Sequence, residues 1–262
     1  MGDTHGNTRA IITAVQRAKE LNVEWIIQCG DFGLWPGWAG VRFLDEVNAA
    51  LIDNKVNLMW LDGNHEDFDQ LESLIKLQPK NKNGQTYIRS QILYSPRGCL
   101  WEMNNKIFMT VGGAVSIDRK WRVPHESWWP QEQLTDVEVY GIVARAIDRR
   151  QKDKPNVDYL FTHDCHPLTP FKNLIDDPTS SMHRDKIKRI FNAVLPSMWF
   201  HGHMHTKYTW PLFHALPFED FAVGDKHTEV YGLECDGMFY NWGILDTETN
   251  KFEFAPPVLD PH

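Results

Sequence analysis

The chain has 262 residues, 42% of them hydrophobic, with 11 Trp, 14 Phe and 7 Tyr. That is enough apolar side chain for one large domain with a sizeable core, or at most two small ones. A formal net charge of −8 argues against a general binder of nucleic-acid backbone, which needs a basic face. It leaves room for an anionic substrate held by metal ions, because two divalent ions outweigh a pair of carboxylates.

The four cysteines, Cys29, Cys99, Cys165 and Cys235, are widely spaced with no CxxC pair, and read as free thiols in a reducing compartment. No apolar run reaches membrane-spanning length and no signal-peptide pattern opens the chain. The expectation is a cytoplasmic protein without a membrane partner. No Gly/Ser/Pro-rich linker divides residues 1–262, so one domain is expected over the whole length.

In chain order, Gly2-Asp3-Thr4-His5-Gly6-Asn7 comes first, directly behind Met1. Thr8 to Asn22 reads as a helix, with Ile11, Ile12, Val15, Ala18 and Leu21 at helical spacing. A short apolar strand, Glu24 to Cys29, ends at Gly30-Asp31, and a helix over Ala39 to Asn54 leads to a strand from Asn57 to Leu61. That strand ends at Gly63-Asn64-His65-Glu66. Strand, loop, helix, strand is βαβ logic and predicts a parallel pair. A helix is expected over Asp67 to Lys76, then a polar, turn-rich stretch from Pro79 to Arg97. Ile107 to Val111 is a strand stopped by Gly112-Gly113, and Leu134 to Arg149 is helical. Val157 to Phe161 is a strand that delivers Thr162-His163-Asp164. A helix over Arg184 to Leu195 precedes Ser197 to Phe200, which delivers His201-Gly202-His203-Met204-His205. In the tail, Thr228 to Leu233, Phe239 to Leu245 and Lys251 to Ala255 read as an antiparallel meander closing a second sheet.

Four of the five polar segments follow strands, and strand ends in an open α/β sheet converge on one edge. Together the segments offer four imidazoles (His5, His163, His203, His205), two carboxylates (Asp3, Asp31) and the amide oxygen of Asn64. A lone His after a strand is more often a hydrogen-bonded structural residue than a ligand. The ordered set is different, because so many polar groups at neighbouring strand ends are costly to bury without a shared partner such as metal. Mixed N and O donors suit Mn²⁺, Fe, Zn²⁺ or Ni²⁺ better than Mg²⁺ or Ca²⁺, and Mn²⁺ is the working choice.

Asp-x-His, Gly-Asp, Gly-Asn-His-Glu, Thr-His-Asp and Gly-His-x-His, in this order over positions 3 to 205, resemble the signature of the calcineurin-like metallophosphoesterase superfamily. Gly112 to Arg119 and Ser127-Trp128-Trp129-Pro130 resemble stretches of its bacterial and phage branch. The resemblance implies a four-layer α/β/β/α sandwich of two mixed sheets with a dinuclear site at the strand ends. It implies Asp3, His5 and His205 as ligands of the first ion, Asn64, His163 and His203 as ligands of the second, and Asp31 as the bridge. Two ions about 3.5–4 Å apart can share a hydroxide made nucleophilic at neutral pH. His65 is implied as the residue beside the metals that protonates or stabilises the leaving oxygen. Asp67 or Glu66 could orient the His65 ring, while helix capping is the favoured role for Asp67.

Other residues keep alternatives. Arg119 is a candidate phosphate contact or a surface partner of Asp118 or Glu126. The Trp128–Trp129 pair packs a loop over the core or offers a stacking platform. His201 is placed outside the metal set. Asp164 and His166 line the pocket or shape a turn. His125, His183, His214 and His227 have no motif context and read as solvated surface residues.

Family members carry an apolar strand just before Asp-x-His, and this chain lacks that usual first strand. The expectation is a looser Asp3 and His5, and weaker binding of the first ion than of the second. The leading reading is a metal-dependent hydrolase of phosphodiester or phosphomonoester bonds, diesters favoured, acting on a small phosphorylated substrate such as a nucleotide rather than long nucleic acid. The alternative is a non-catalytic metal-binding scaffold on the same fold, impaired by the absent strand. A zinc-structured binding module is set aside because no local Cys/His quartet exists.

Overall fold

The computed structural model describes residues 1–170, 177–214, 227–238 and 240–255. Its first half follows from alternating amphipathic helices and short apolar strands. α1 (Thr8–Glu20) buries Ile11, Ala14, Val15 and Ala18 on one face, and the Asn7 side chain caps it by accepting from the Ala10 N–H. β1 (Trp25–Gln28), α2 (Gly37–Asn54) and β2 (Asn57–Trp60) come next. The helical crossover makes β1 and β2 parallel, with Trp25 opposite Asn57 and Gln28 opposite Trp60. α3 (Phe68–Leu77) starts at Asp67, whose carboxylate accepts from the Gln70 N–H, so Asp67 is a helix cap.

The Pro79–Arg97 stretch is not all turn. It carries β3 (Thr86–Tyr87) and β4 (Ile92–Tyr94), which complete a sheet in the order β1-β2-β4-β3. All three β4 residues are buried and pair in parallel with β2. Three residues are too few for either periodicity to register in sequence.

A second, larger sheet has the order β5-β6-β7-β8-β10-β9. Its strands are β5 (Cys99–Met103), β6 (Lys106–Val111), β7 (Tyr159–Thr162), β8 (Met198–His201), β9 (Tyr208–Phe213) and β10 (His227–Gly232). β6, β7, β8 and β10 run parallel, while β5 and β9 are antiparallel edges. α4 (Asp136–Gln151) and α5 (Pro178–Val194) cover the outer face.

The tail corrects the expected meander. β10 lies inside the large sheet, parallel to β8, and only β11 (Gly243–Asp246) and β12 (Lys251–Phe254) form a separate antiparallel pair. Phe239, the expected start of one tail strand, is outside the described residues. β9 gave no sequence signal because Leu212 is its only buried residue, and it carries Pro211, which an edge strand tolerates.

Period-two alternation sorts the strand residues into layers. Leu58 and Trp60 face the first helices beside Ile11, Leu44 and Leu51, whereas Met59 and Leu61 face the opposite sheet. Leu160 and Trp199 meet Ile142, Ile187 and Phe191 under α4 and α5, while Tyr159, Phe161 and Phe200 fill the space between the sheets. Helix, sheet, sheet, helix is the result. Burying each of these large side chains contributes roughly 2–3 kcal/mol before conformational entropy is set against it. None of the described helices is long and apolar enough to cross a membrane.

The N-terminal segment is held more firmly than the sequence suggests. Met1 lies beside β1, with its ammonium donating to the Ile27 carbonyl and its own carbonyl accepting from the Cys29 N–H at 2.9 Å. Asp3 is fully buried. The expected loosening of Asp3 is therefore corrected: backbone pairing with β1, and with Asn241 through Gly2, fixes the segment.

Candidate metal centre

The loops after β1, β2, β7 and β8, together with the N-terminal segment, bring Asp3, His5, Asp31, Asn64, His163, His203 and His205 to one end of the two sheets. His205 Nε2 lies 2.8 Å from Asp3 Oδ2, and the donor atoms of Asp3, His5 and His205 fall within 4.8 Å of one another. Asp3, Asp31 and His163 form a second such group. On that side His163 Nε2 stands 3.1 Å from Asn64 Oδ1 and 3.5 Å from Asp31 Oδ1, and the His203 ring centroid is 4.9 Å from that of His163. Asp31 faces both groups, since its Oδ2 is 3.6 Å from His5 Nε2.

Backbone geometry marks the same place. His5, Asp31, His203 and His205 all have positive φ, between 41° and 63°. For non-glycine residues this conformation costs on the order of 1 kcal/mol or more each, which the surrounding contacts must offset. A Cβ on Gly63 would stand 2.0 Å from Asp31 Oδ1, and one on Gly202 would stand 2.0 Å from Asp3 Oδ1. Both glycines are where carboxylates press against backbone, and Asp3 and Asp31 accept from the His203, Asn64 and His65 N–H groups there.

The charges are arranged to receive cations. Burial works against an imidazolium at His163, but Asp31 and Asp3 outweigh it and raise its pKa to about 10. At His5 burial is again outweighed, by Asp31 and Asp236, to about 9. Burial would raise Asp31, yet His163 and His5 hold it well below the usual carboxylate range. His203, where burial dominates, is pushed down to about 4. Two buried carboxylates thus draw protons onto neighbouring rings when no other cation is present. Divalent ions would displace those protons, so the all-N/O donor set fits such ions.

Outer contacts orient the donors. The His163 Nδ1–H donates to the Cys29 carbonyl at 2.7 Å, leaving Nε2 to face Asn64 and Asp31. The Asn64 Nδ2 donates to Ser116 Oγ, and that hydroxyl donates to Glu132 Oε2 at 2.6 Å, which turns the amide oxygen toward the site. His5 Nδ1 pairs with Asp236 Oδ1 at 2.8 Å. Sequence reading missed Ser116, Glu132 and Asp236. Ser116 lies inside the Gly112 to Arg119 segment and Glu132 two residues past Pro130, both segments that had drawn notice, whereas Asp236 lies near none.

His65 sits at the rim, its Nε2 3.9 Å from Asp31 Oδ2. Arg122 lies 2.7 Å from its Nδ1 and 3.4 Å from its Nε2, and the shorter contact favours a neutral ring that carries its proton on Nε2. Burial first, and then the Arg122 charge, lower the His65 pKa against the pull of Asp31. Glu66 does not orient this ring. Its carboxylate accepts from the Phe32 and Leu34 N–H groups and braces the Asp31 loop. Arg119 faces away from the cavity and is bound to Asp177, Thr179 and the Ser116 carbonyl, which moves the candidate phosphate contact from Arg119 to Arg122.

The remaining histidines sort by burial. His201 stays within β8, bonded to the Gly202 carbonyl and Tyr208. His183, read as a surface residue, is instead buried and paired with Asp164 at 2.8 Å, because α5 begins earlier than its sequence signal and carries His183 inward. The His166 Nδ1 accepts from the Leu168 N–H, a turn role. Trp129 packs into the helix-side core and donates to Asp69. The cavity in front of the donors has a volume of about 350 Å³ and continues along Val115, Ile117 and Met204.

The family model for calcineurin-like phosphoesterases matches residues 1–207. The chain belongs to the calcineurin-like phosphoesterase family. Membership makes it a phosphoesterase dependent on divalent metal, with the donors above as its candidate ligands. Among solved structures, the protein TT1561 of Thermus thermophilus matches this phosphoesterase with a TM-score of 0.54. That match covers 97% of this chain and 96% of that one at 13% identity. A dimetal phosphatase from Danio rerio matches with a TM-score of 0.50, over 88% of this chain and 78% of that one at 16% identity. At these identities the likeness is one of fold. No curated protein matches the phosphoesterase in sequence.

Proposed function

We propose that this phosphoesterase hydrolyses phosphodiesters, and phosphomonoesters less well, in small phosphorylated molecules such as nucleotides, with two Mn²⁺ ions held by the seven donors. When bound, such ions offset phosphate charge and provide an activated water as nucleophile. The chain's own residues do the rest. Asp31 is shared between the two donor groups. Cys29 and Ser116 fix the rotamers of His163 and Asn64. His65, with its proton on Nε2, donates to the leaving oxygen, and Arg122 holds the ring in that tautomer and adds positive charge beside the phosphate.

The observation that carries the reading is the Arg122–His65–Asp31 line at the mouth of the cavity. The apolar continuation along Val115, Ile117 and Met204 supports diesters, because it offers a place for the second ester group. Nothing in the described residues favours the scaffold alternative. The same reading takes the whole chain as one domain working in the cytoplasm, in keeping with its free cysteines.

The test is hydrolysis of bis-p-nitrophenyl phosphate and p-nitrophenyl phosphate by metal-stripped protein titrated with Mn²⁺, beside His65→Ala. Metal-dependent turnover that favours the diester and falls about 10²–10⁴-fold in the variant supports the reading. A folded protein that turns over neither ester with any divalent metal overturns it.

A further inference from the structure

Among the described residues two arginine side chains are largely buried, and their surroundings are opposite. Arg97, with its side chain 9% exposed, donates hydrogen bonds to Asp62, Glu138 and the carbonyls of Gln131, Glu132 and Gln133. Arg184, 7% exposed, lies in α5 and lines the same cavity as Asn64 and His203. Among the described residues it makes no hydrogen bond and no ion pair.

A guanidinium cannot shed its proton, so Arg184 is charged. A buried charge without a partner is costly, and Arg97 shows how this fold neutralises one when it serves structure alone. The carboxylates near the cavity are committed elsewhere. Asp164 accepts from the Cys165 N–H and pairs with His183, Asp177 holds Arg119 and Ser180, and Asp118 holds Arg122. The charge of Arg184 therefore faces the cavity. It also comes from a different wall than the reacting end, where Arg122 already stands beside His65. At about 350 Å³ the cavity is in the size range of small-ligand sites and larger than one phosphate needs.

We propose that Arg184 receives a second phosphate of the substrate, apart from the phosphoryl group at the metal donors. The preferred substrate is then a small phosphodiester that carries a second, separate phosphate, such as a 5′-phosphorylated dinucleotide. This rests on the phosphoesterase reading for the reaction, but the anion site does not depend on it.

Two measurements separate the claims. The first is calorimetric titration of metal-stripped protein with inorganic phosphate, in wild type and in Arg184 variants, because Arg122 also lines the cavity and only the variants isolate the Arg184 contribution. Wild type is expected to bind, with affinity about tenfold lower in Arg184→Gln and partly kept in Arg184→Lys, as for a charge-assisted contact. The second is the ratio of kcat/KM for a 5′-phosphorylated diadenosine dinucleotide over the same dinucleotide without its 5′-phosphate, with Mn²⁺. That ratio is expected to fall about tenfold in Arg184→Gln. No phosphate binding by metal-free wild type, or an equal fall on both substrates, overturns the proposal. An adventitious ion only, bound equally by the variants, overturns it too. If both variants fail to fold, phenylglyoxal labelling of wild type decides: phosphate protecting Arg184 supports the site, and no protection overturns it. Phosphate binding that depends on Arg184 without any ester hydrolysis would leave the anion site standing and sink the hydrolase reading.

Discussion

The two halves of the donor cluster are built differently. On the Asn64 side, His163 is fully buried and pinned by the Cys29 carbonyl, and Asn64 is held through Ser116 and Glu132. On the Asp3 side the carboxylate is just as buried, but its imidazoles are not. The His5 and His205 side chains are 26% and 45% exposed, and His5 leans on a partly exposed Asp236. Buried, hydrogen-bonded ligands are preorganised, whereas half-exposed rings must be ordered when the ion arrives. The tighter ion is therefore proposed for the Asn64, His163 and His203 side. The proposed ranking agrees with the sequence expectation, with ring exposure in place of a loose Asp3 as its cause.

The largest expected effect removes the difference altogether. Asp31→Asn takes away a carboxylate that faces both halves, so both ions should be lost and kcat/KM should fall by about 10³-fold or more. Metal analysis after dialysis checks this, and a variant that keeps one full equivalent would show that Asp31 is not shared. Next in size, His163→Ala and His205→Ala should part company. Excess Mn²⁺ should restore much of the activity of His205→Ala and little of that of His163→Ala. Equal rescue would erase the asymmetry. A finer probe lies one contact further out. Glu132→Ala should weaken the tighter ion about 10- to 100-fold through Ser116 and Asn64, and Asp236→Ala should weaken the other ion by less, since its carboxylate is already partly solvated.

The smallest effect concerns the fold around the pinned half. Burial pushes His166 down to about 4, against an ordinary value of about 6.5. Between these values the unfolded chain binds the proton and the folded chain does not. Stability from this group is present above about pH 6.5 and is lost as pH falls toward 4. Metal-free protein should be less stable at pH 5 than at pH 7, by on the order of 1 kcal/mol from His166, and His166→Gln should narrow that gap. Urea midpoints at the two pH values give the comparison.

Much of the site was legible in sequence because its donors follow strands, and strand ends converge. Asp31, Asn64, His163, His203 and His205 each come just after β1, β2, β7 or β8. The supporting residues were not legible. Glu132 and Asp236 sit in irregular segments with no periodicity, and their roles depend on contacts 16 residues from Ser116 and 231 residues from His5. Arg119 stands out in sequence and Arg122, three residues on, does not; the packing of Asp177 against Arg119 is what tells them apart. In the fold, β4 and β9 escaped notice for opposite reasons: one is too short to show a pattern, and the other is an edge with a single buried side chain.

The most direct test follows Mn²⁺ occupancy and diester hydrolysis in the same titration of metal-stripped protein. Two unequal binding steps are predicted, with hydrolysis of bis-p-nitrophenyl phosphate rising only as the second, weaker ion loads. Full activity at one equivalent, or two filled sites with no hydrolysis, would contradict the account.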